Sequence, residues 1–210
     1  MLDRIVALRA ALHGCAEVSG HENATKRMLT DFLRESTTLE LHELAEGFYA
    51  AHREKDTEKP AIVLRADYDA LAMPDGGAAH LCGHDGHAAA LCAVALLLEG
   101  QRVGRDVFLL FQGAEETGAG AAQCCALFDR ETVGEIYGAH KLPGLPLGQV
   151  HPRAGTYACA SRGVTLRFVG KPAHAAYPET GISPAPAVGR LLAELETLAA
   201  PERYRGMTLC

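Results

Sequence analysis

No cluster of basic side chains occurs along the 210 residues, and acids outnumber bases, 26 Asp and Glu against 20 Lys and Arg, for a formal net charge of −6. That balance argues against a nucleic-acid or anionic-membrane surface, which needs concentrated positive charge. No apolar run reaches the roughly 20 residues of a bilayer-spanning helix; the longest is Ala88 to Leu98. The N-terminus lacks the look of a secretory signal: Met1-Leu2-Asp3-Arg4 carries an acid where bare positive charge is usual, and no apolar core follows. The seven cysteines are odd in number and lack framework spacing, so a reduced, cytoplasmic setting is expected rather than a disulfide scaffold. Internal repeats and low-complexity tracts are absent. What remains is an ordinary globular balance, 48% hydrophobic and 22% charged, inconsistent with disorder.

Leu2, Ile5, Val6, Leu8 and Leu12 follow helical spacing, and a second helix is expected over Glu22 to Leu33. Leu39–Leu44 and Phe48–His52 read as a hairpin around Gly47. Ala61–Ala66 is a buried-type strand that ends at Asp67, and Val107–Phe111 is another, running into Gln112-Gly113-Ala114-Glu115-Glu116. Between them, Met73–Gly86 reads as a loop and His87–Glu99 as a helix stopped by Gly100. A small-residue helix over Gly118–Phe128 and a strand over Glu135–Ala139 follow. Strand, helix, strand, helix, strand implies a parallel α/β sheet. Near Thr156–Ser161 the composition shifts. Beyond it a strand over Gly163–Gly170 and a helix opened by Ser183-Pro184 form one β-α unit of a second domain.

The polar residues gather where such a sheet places its crevice, outside the carboxyl ends of parallel strands. Three strands end in Asp67, in Glu115-Glu116 and in His140, and Cys82-Gly83-His84-Asp85 precedes a helix. Cysteine, histidine and glutamate together suit a borderline transition metal, zinc first, and disfavour magnesium or calcium. Taken alone, Cys82 reads as a small buried hydrophobe and His84 as a loop histidine; their coincidence with Glu115-Glu116 and His140 reverses that preference. One glutamate of the pair would bind the ion, and its neighbour would shuttle a proton from an activated water to a leaving amine. The alternative for both acids is a favourable interaction with the dipole of the next helix. Asp67 and Asp69 are candidates for orienting a ligand or for a simple turn. His13, His21, His42, His52 and His151 read as surface or structural, while His80 and His87 stay open.

Five blocks in order carry a resemblance: Leu64-Arg65-Ala66-Asp67-Tyr68-Asp69-Ala70-Leu71, His80-Leu81-Cys82-Gly83-His84-Asp85-Gly86-His87, Phe111-Gln112-Gly113-Ala114-Glu115-Glu116, Gly138-Ala139-His140-Lys141-Leu142-Pro143-Gly144 and Gly170-Lys171-Pro172-Ala173-His174-Ala175-Ala176. The chain resembles the hippurate hydrolase and indole-acetyl-amino-acid hydrolase group of metallo-amidohydrolases, related to aminoacylase and the dinuclear zinc exopeptidases. The resemblance implies an α/β fold: a mainly parallel sheet flanked by helices, followed by the start of an α+β lid (dimerisation) domain. It implies Cys82, His84, Glu116 and His140 as metal ligands, Glu115 as general acid/base, Asp67 as a supporting residue, and His174 as a lid residue reaching a neighbouring subunit's site. Two divalent ions, zinc or manganese with nickel or cobalt as alternatives, would serve hydrolysis of N-acyl amino acids or small peptides in a homodimer.

Family members are nearly twice as long, so residues 1–158 are expected to be the first part of the catalytic domain and 159–210 an incomplete lid. A competing expectation follows: a catalytically incompetent fragment that binds metal or dimerises. A zinc deaminase would need a later Pro-Cys-x-x-Cys, which Cys124-Cys125 does not supply. Two positions depart from the family. Gly113 replaces the usual proline and is expected to loosen the turn carrying Glu115. Lys141 replaces an asparagine and sets a cation beside a proposed ligand.

Overall fold

The computed structural model describes residues 1–55, 57–152, 154–156 and 163–198. The chain divides into two compact units, Met1–Gly148 and Gln149–Cys210. The domain boundary expected at 158/159 lies outside the described residues.

In the first unit, helices α1 (Leu2–Gly14) and α2 (Asn23–Ser36) precede an antiparallel hairpin, β1 (Glu40–Leu44) and β2 (Gly47–His52). Strand β3 (Ala61–Asp67) leads through the two-residue strands β4 (Leu71–Ala72) and β5 (Ala78–Ala79) into helix α3 (His84–Leu98), then strand β6 (Val107–Gln112). Two short helices, α4 (Gly120–Cys124) and α5 (Ala126–Arg130), lead to β7 (Val133–Gly138). The single helix expected over Gly118–Phe128 is thus two.

The sheet order is β1-β2-β6-β3-β7. Strands β6, β3 and β7 are parallel, and the hairpin joins β6 antiparallel. A parallel pair needs a crossover, and each crossover here is a helix. From β3 the chain passes over one face through α3 to β6 on one side. It then passes over the other face through α4 and α5 to β7 on the opposite side. The switch point therefore lies between the adjacent carboxyl ends of β3 and β6, and the crevice that this reversal creates opens there.

All six residues of β6 are buried because both faces are covered. Val107, Leu109 and Phe111 point to a cluster with Leu8, Leu12, Leu29, Leu33, Leu91 and Leu98 from α1, α2 and α3. Phe108 and Leu110 point the other way, to Val63, Tyr49, Cys124 and Leu127. Phe48 and Phe111 stack at 4.7 Å within the first cluster. Edge strand β7 is largely exposed, with Ile136 51% and Tyr137 53% accessible. Leu2 and Val6, expected on the buried face of α1, stay exposed.

In the second unit helix α6 (Ala185–Leu198) forms as expected, the Ser183 hydroxyl accepting the Ala185 N–H at 3.3 Å. The strand expected over Gly163–Gly170 does not form. Its residues are exposed and pair with no strand among the described residues, and only an isolated bridge joins Lys171 to Ile182. A lone extended segment leaves its backbone groups to water, so apolar alternation cannot make it a strand. The strand part of the expected lid is thus missing from the described residues.

No helix among the described residues is long and apolar enough to cross a membrane. Cys15, Cys82, Cys92, Cys124 and Cys125 are free thiols.

Candidate metal centre

The loop before α3 is shorter than its sequence suggests. Gly83 takes φ +81°, a left-handed conformation that favours glycine, and starts the helix at His84 rather than His87. One consequence is that His84 and His87 lie three apart on one helix face. Their rings sit 5.4 Å apart. Helical spacing was the sequence signal that could have drawn His87 into the site.

Both histidines lean on the acids that end β3. His84 Nδ1 lies 2.9 Å from Asp69 Oδ1, which leaves Nε2 facing outward, 3.7 Å from Asp67 Oδ2 and 3.8 Å from Glu116 Oε1. A carboxylate on one imidazole nitrogen is the usual way to aim the other at an ion. His87 Nδ1 lies 2.7 Å from Asp67 Oδ1, and its Nε2 accepts the Lys141 N–H at 3.0 Å. With both ring nitrogens engaged, His87 ties the segment after β7 to the end of β3. Asp69 has a second duty, its Oδ2 accepting the Glu116 N–H at 2.9 Å.

Three sets of ligand atoms each converge within 4.8 Å: Cys82, His84 and Glu116; Asp67, His84 and Glu115; and His84, His87 and His140. His84 belongs to all three. The fold therefore brings Cys82, His84, Asp67, Glu115, Glu116 and His140 into one neighbourhood. His174 lies in the second unit, exposed, with Nδ1 accepting the Ala176 N–H at 3.1 Å.

The charges in this neighbourhood conflict unless a cation joins them. The adjacent Glu116 carboxylate, then burial, then the charges of Glu115 and Asp67 push the Cys82 thiol up to about 11. Burial opposes ionisation of Asp67, yet the His87 hydrogen bond and the charges of Arg65 and His84 hold its carboxyl down at about 2. Burial also works against a charge on His84, but Asp69, Asp67 and Glu116 together raise its pKa. Glu116 Oε1 is buried with no hydrogen-bond partner. A buried carboxylate oxygen without a donor is costly. A divalent ion among a thiolate, an imidazole and carboxylates removes that cost, so the donor set fits one. The helix-dipole alternative for Glu116 does not use this oxygen, and helix α4 begins only at Gly120.

The two departures have specific geometry. Gly113 does not loosen its turn: its N–H donates to the Glu46 carbonyl at 2.8 Å, a bond proline cannot make. Gly120 seals the turn from the far side, where a Cβ would collide with the Gly113 carbonyl oxygen. The Lys141 side chain lies across Gly83 and Gly86 at the start of α3. His13, read as surface or structural, is structural: with Arg9 it holds Asp85 Oδ2, at 2.8 and 2.9 Å, and so pins α1 to α3. His80 is buried, its ring 6.1 Å from that of His13.

Residues 63–204 match the profile of peptidase family M20/M25/M40. The chain is 31% identical to an N-acetyl-L-cysteine deacetylase of Bacillus subtilis, over 94% of this chain and 50% of that protein. It is 36% identical to the IAA-amino acid hydrolase ILR1-like 4 of Arabidopsis thaliana, over 68% of this chain and 35% of the plant protein. Among solved structures, a dinuclear metal-binding peptidase of the M20 family from Bacillus subtilis superposes with a TM-score of 0.63 at 32% identity, covering 70% of this chain and 45% of that one. The chain spans about half the length of the Bacillus relatives it matches.

Proposed function

Since the chain belongs to peptidase family M20/M25/M40, we propose that it is a metal-dependent amidohydrolase that cleaves the amide bond of N-acyl amino acids or small peptides. The observation that carries this reading is the pairing of Glu116 Oε1, buried and without a hydrogen-bond donor, with His84 Nε2 at 3.8 Å, aimed there by Asp69.

Cys82, His84, Glu116 and His140 are the proposed ligands, and the mixed sulfur, nitrogen and oxygen donors favour zinc over manganese. A divalent ion, when bound, polarises the amide carbonyl and acidifies water. Glu115 is the proposed general base and acid. Its carboxylate takes a proton from the attacking water as the C–O bond forms, then delivers it to the departing nitrogen as the C–N bond breaks. Asp67 supports the site by holding His87. His174 is the proposed group that steadies the carbonyl oxygen in a partner subunit of a homodimer. Free thiols at all five described cysteines suit a reducing, cytoplasmic setting.

The test is elemental analysis of the purified chain beside an assay on N-acetyl amino acids and the corresponding dipeptides. Bound divalent metal and release of free amino acid are expected. Glu115→Gln should retain the metal and lose about a thousandfold in turnover. Normal turnover in that variant overturns the role of Glu115. Bound metal with no turnover in the unaltered chain leaves only the reading of a metal-binding fragment.

A further inference from the structure

Glu22 is a buried carboxylate with no place in the chemistry above, 7% exposed at the entry to α2. It occupies the N-cap position but makes no capping hydrogen bond to its own helix. That task falls to Glu17, whose carboxylate accepts the Thr25 N–H at 2.7 Å and the Ala24 N–H at 3.2 Å. The Glu22 side chain turns away instead. Its Oε1 accepts the Gly20 N–H at 2.7 Å and, 92 residues downstream, the Ala114 N–H at 2.9 Å.

Ala114 immediately precedes the glutamate pair. It is the one non-glycine residue with positive φ, +51°, among the described residues. An alanine in the left-handed region is strained and persists only where its surroundings over-determine it. Here they do. Its N–H is held by Glu22, and its carbonyl accepts the Gly120 N–H at 3.0 Å and the Thr117 hydroxyl at 3.3 Å.

Neighbouring residues of the same loop grip the other site-bearing turn. Val18 bridges to Ala70, the Ser19 N–H donates to the Ala70 carbonyl at 3.2 Å, and the Ala70 N–H donates to Glu17 at 2.9 Å. The Ser19 hydroxyl reaches Thr117 at 3.3 Å. Residues 17–22 thus join the turn after β3, which carries Asp69 and directly follows Asp67, to the turn after β6, which carries Glu115 and Glu116. This loop lies outside the segment that matches the family profile.

The geometry points to Glu22 as a positioning residue. By holding the Ala114 N–H it fixes the strained turn, and so sets where Glu115 and Glu116 stand relative to His84 and Asp69. This inference rests on the roles proposed for the two glutamates, but its primary readout does not depend on them.

That readout is amide hydrogen exchange of residues 113–118 in the full chain, followed by mass spectrometry, for Glu22→Met, Glu22→Gln and Glu22→Asp. Removing the acceptor in Glu22→Met should speed exchange in this turn by about ten- to a hundredfold, with β2 unchanged. Glu22→Gln, which keeps an oxygen acceptor, should exchange within about threefold of the unaltered chain. Glu22→Asp, one methylene short, should behave like Glu22→Met, and it decides the matter if Glu22→Met fails to fold. In the assay above, kcat should fall and KM stay in the two disruptive variants, with Glu22→Gln restoring kcat. Unchanged exchange in a folded Glu22→Met or Glu22→Asp overturns the inference. So does a Glu22→Gln as fast-exchanging as Glu22→Met. If the unaltered chain binds no metal and turns nothing over, the proposed function falls, and the exchange comparison still decides the role of Glu22.

Discussion

Three parallel strands deliver the candidate site, and they do not deliver it alike. The ends of β3 and β6 are buried, flanked by strands on both sides and gripped by the loop before α2. Asp67, Asp69, Gln112 and Ala114 are each no more than 5% exposed. The end of β7 is an edge. Its strand is exposed, His140 is exposed, and the segment is held by the contact from Lys141 N–H to His87. The carboxylates proposed to handle protons and orient ligands thus stand on a buried base, whereas one proposed ligand stands on an exposed edge. Preorganisation matters most where charge must be aimed.

Breaking the buried side at its base should have the largest effect. Phe48→Ala removes a buried ring that stacks on Phe111 directly beneath the β6 turn. It should cost about 3–5 kcal/mol in urea unfolding, enough to threaten the fold.

Gly113→Pro restores the residue usual in the resembling hydrolases and should nonetheless destabilise by about 3 kcal/mol. It deletes the N–H donor to Glu46 and thrusts a ring toward Tyr68 and Glu22, whose oxygens lie 3.1 and 3.3 Å from a Cβ there. A stabilised Gly113→Pro would show that this turn is not the braced element described here.

Acid should sharpen the same contrast. Asp67 is held at about 2 in the fold, against an ordinary value near 3.8. A depressed carboxylate contributes stability that is present above its unfolded pKa and lost as pH falls through its folded pKa. Chelator-treated protein should therefore lose about 2 kcal/mol between about pH 4 and about pH 2. Asp67→Asn should flatten that segment of the stability curve.

On the other side, Tyr137→Ala at the exposed edge should shift unfolding by no more than about 0.5 kcal/mol. A loss comparable to that of Phe48→Ala would mean that β7 is as firmly built as β6.

Strong local patterns were legible. The continuous apolar runs of β3 and β6, the hairpin around Gly47 and the helix after Ser183-Pro184 stand close to where periodicity and turn chemistry put them. Boundaries failed where one residue's backbone state decided them. Left-handed Gly83 starts α3 three residues early and thereby recruits His84 and His87 to one helix face. The strand over Gly163–Gly170 failed because alternation describes a face, while a strand also needs a neighbour. Of the site, the residue types converging at strand ends were readable. Asp69 was readable as a candidate to orient a ligand, and it holds His84; the tasks of His87 and the Lys141 N–H were not readable, since each depends on the direction of a hydrogen bond.

By itself, the order of residues determined that strands end in acids and a histidine, that a cysteine and histidine precede a helix, and that the donor types gathered there suit a divalent metal ion. These follow from local propensity and from which side chains donate to which ions. Only the tertiary structure decided that Glu22 reaches across 92 positions to a strained alanine, and that the hairpin joins β6 antiparallel. Those outcomes depend on which backbone groups are left unpaired once the sheet has closed around its core, and no local pattern encodes that.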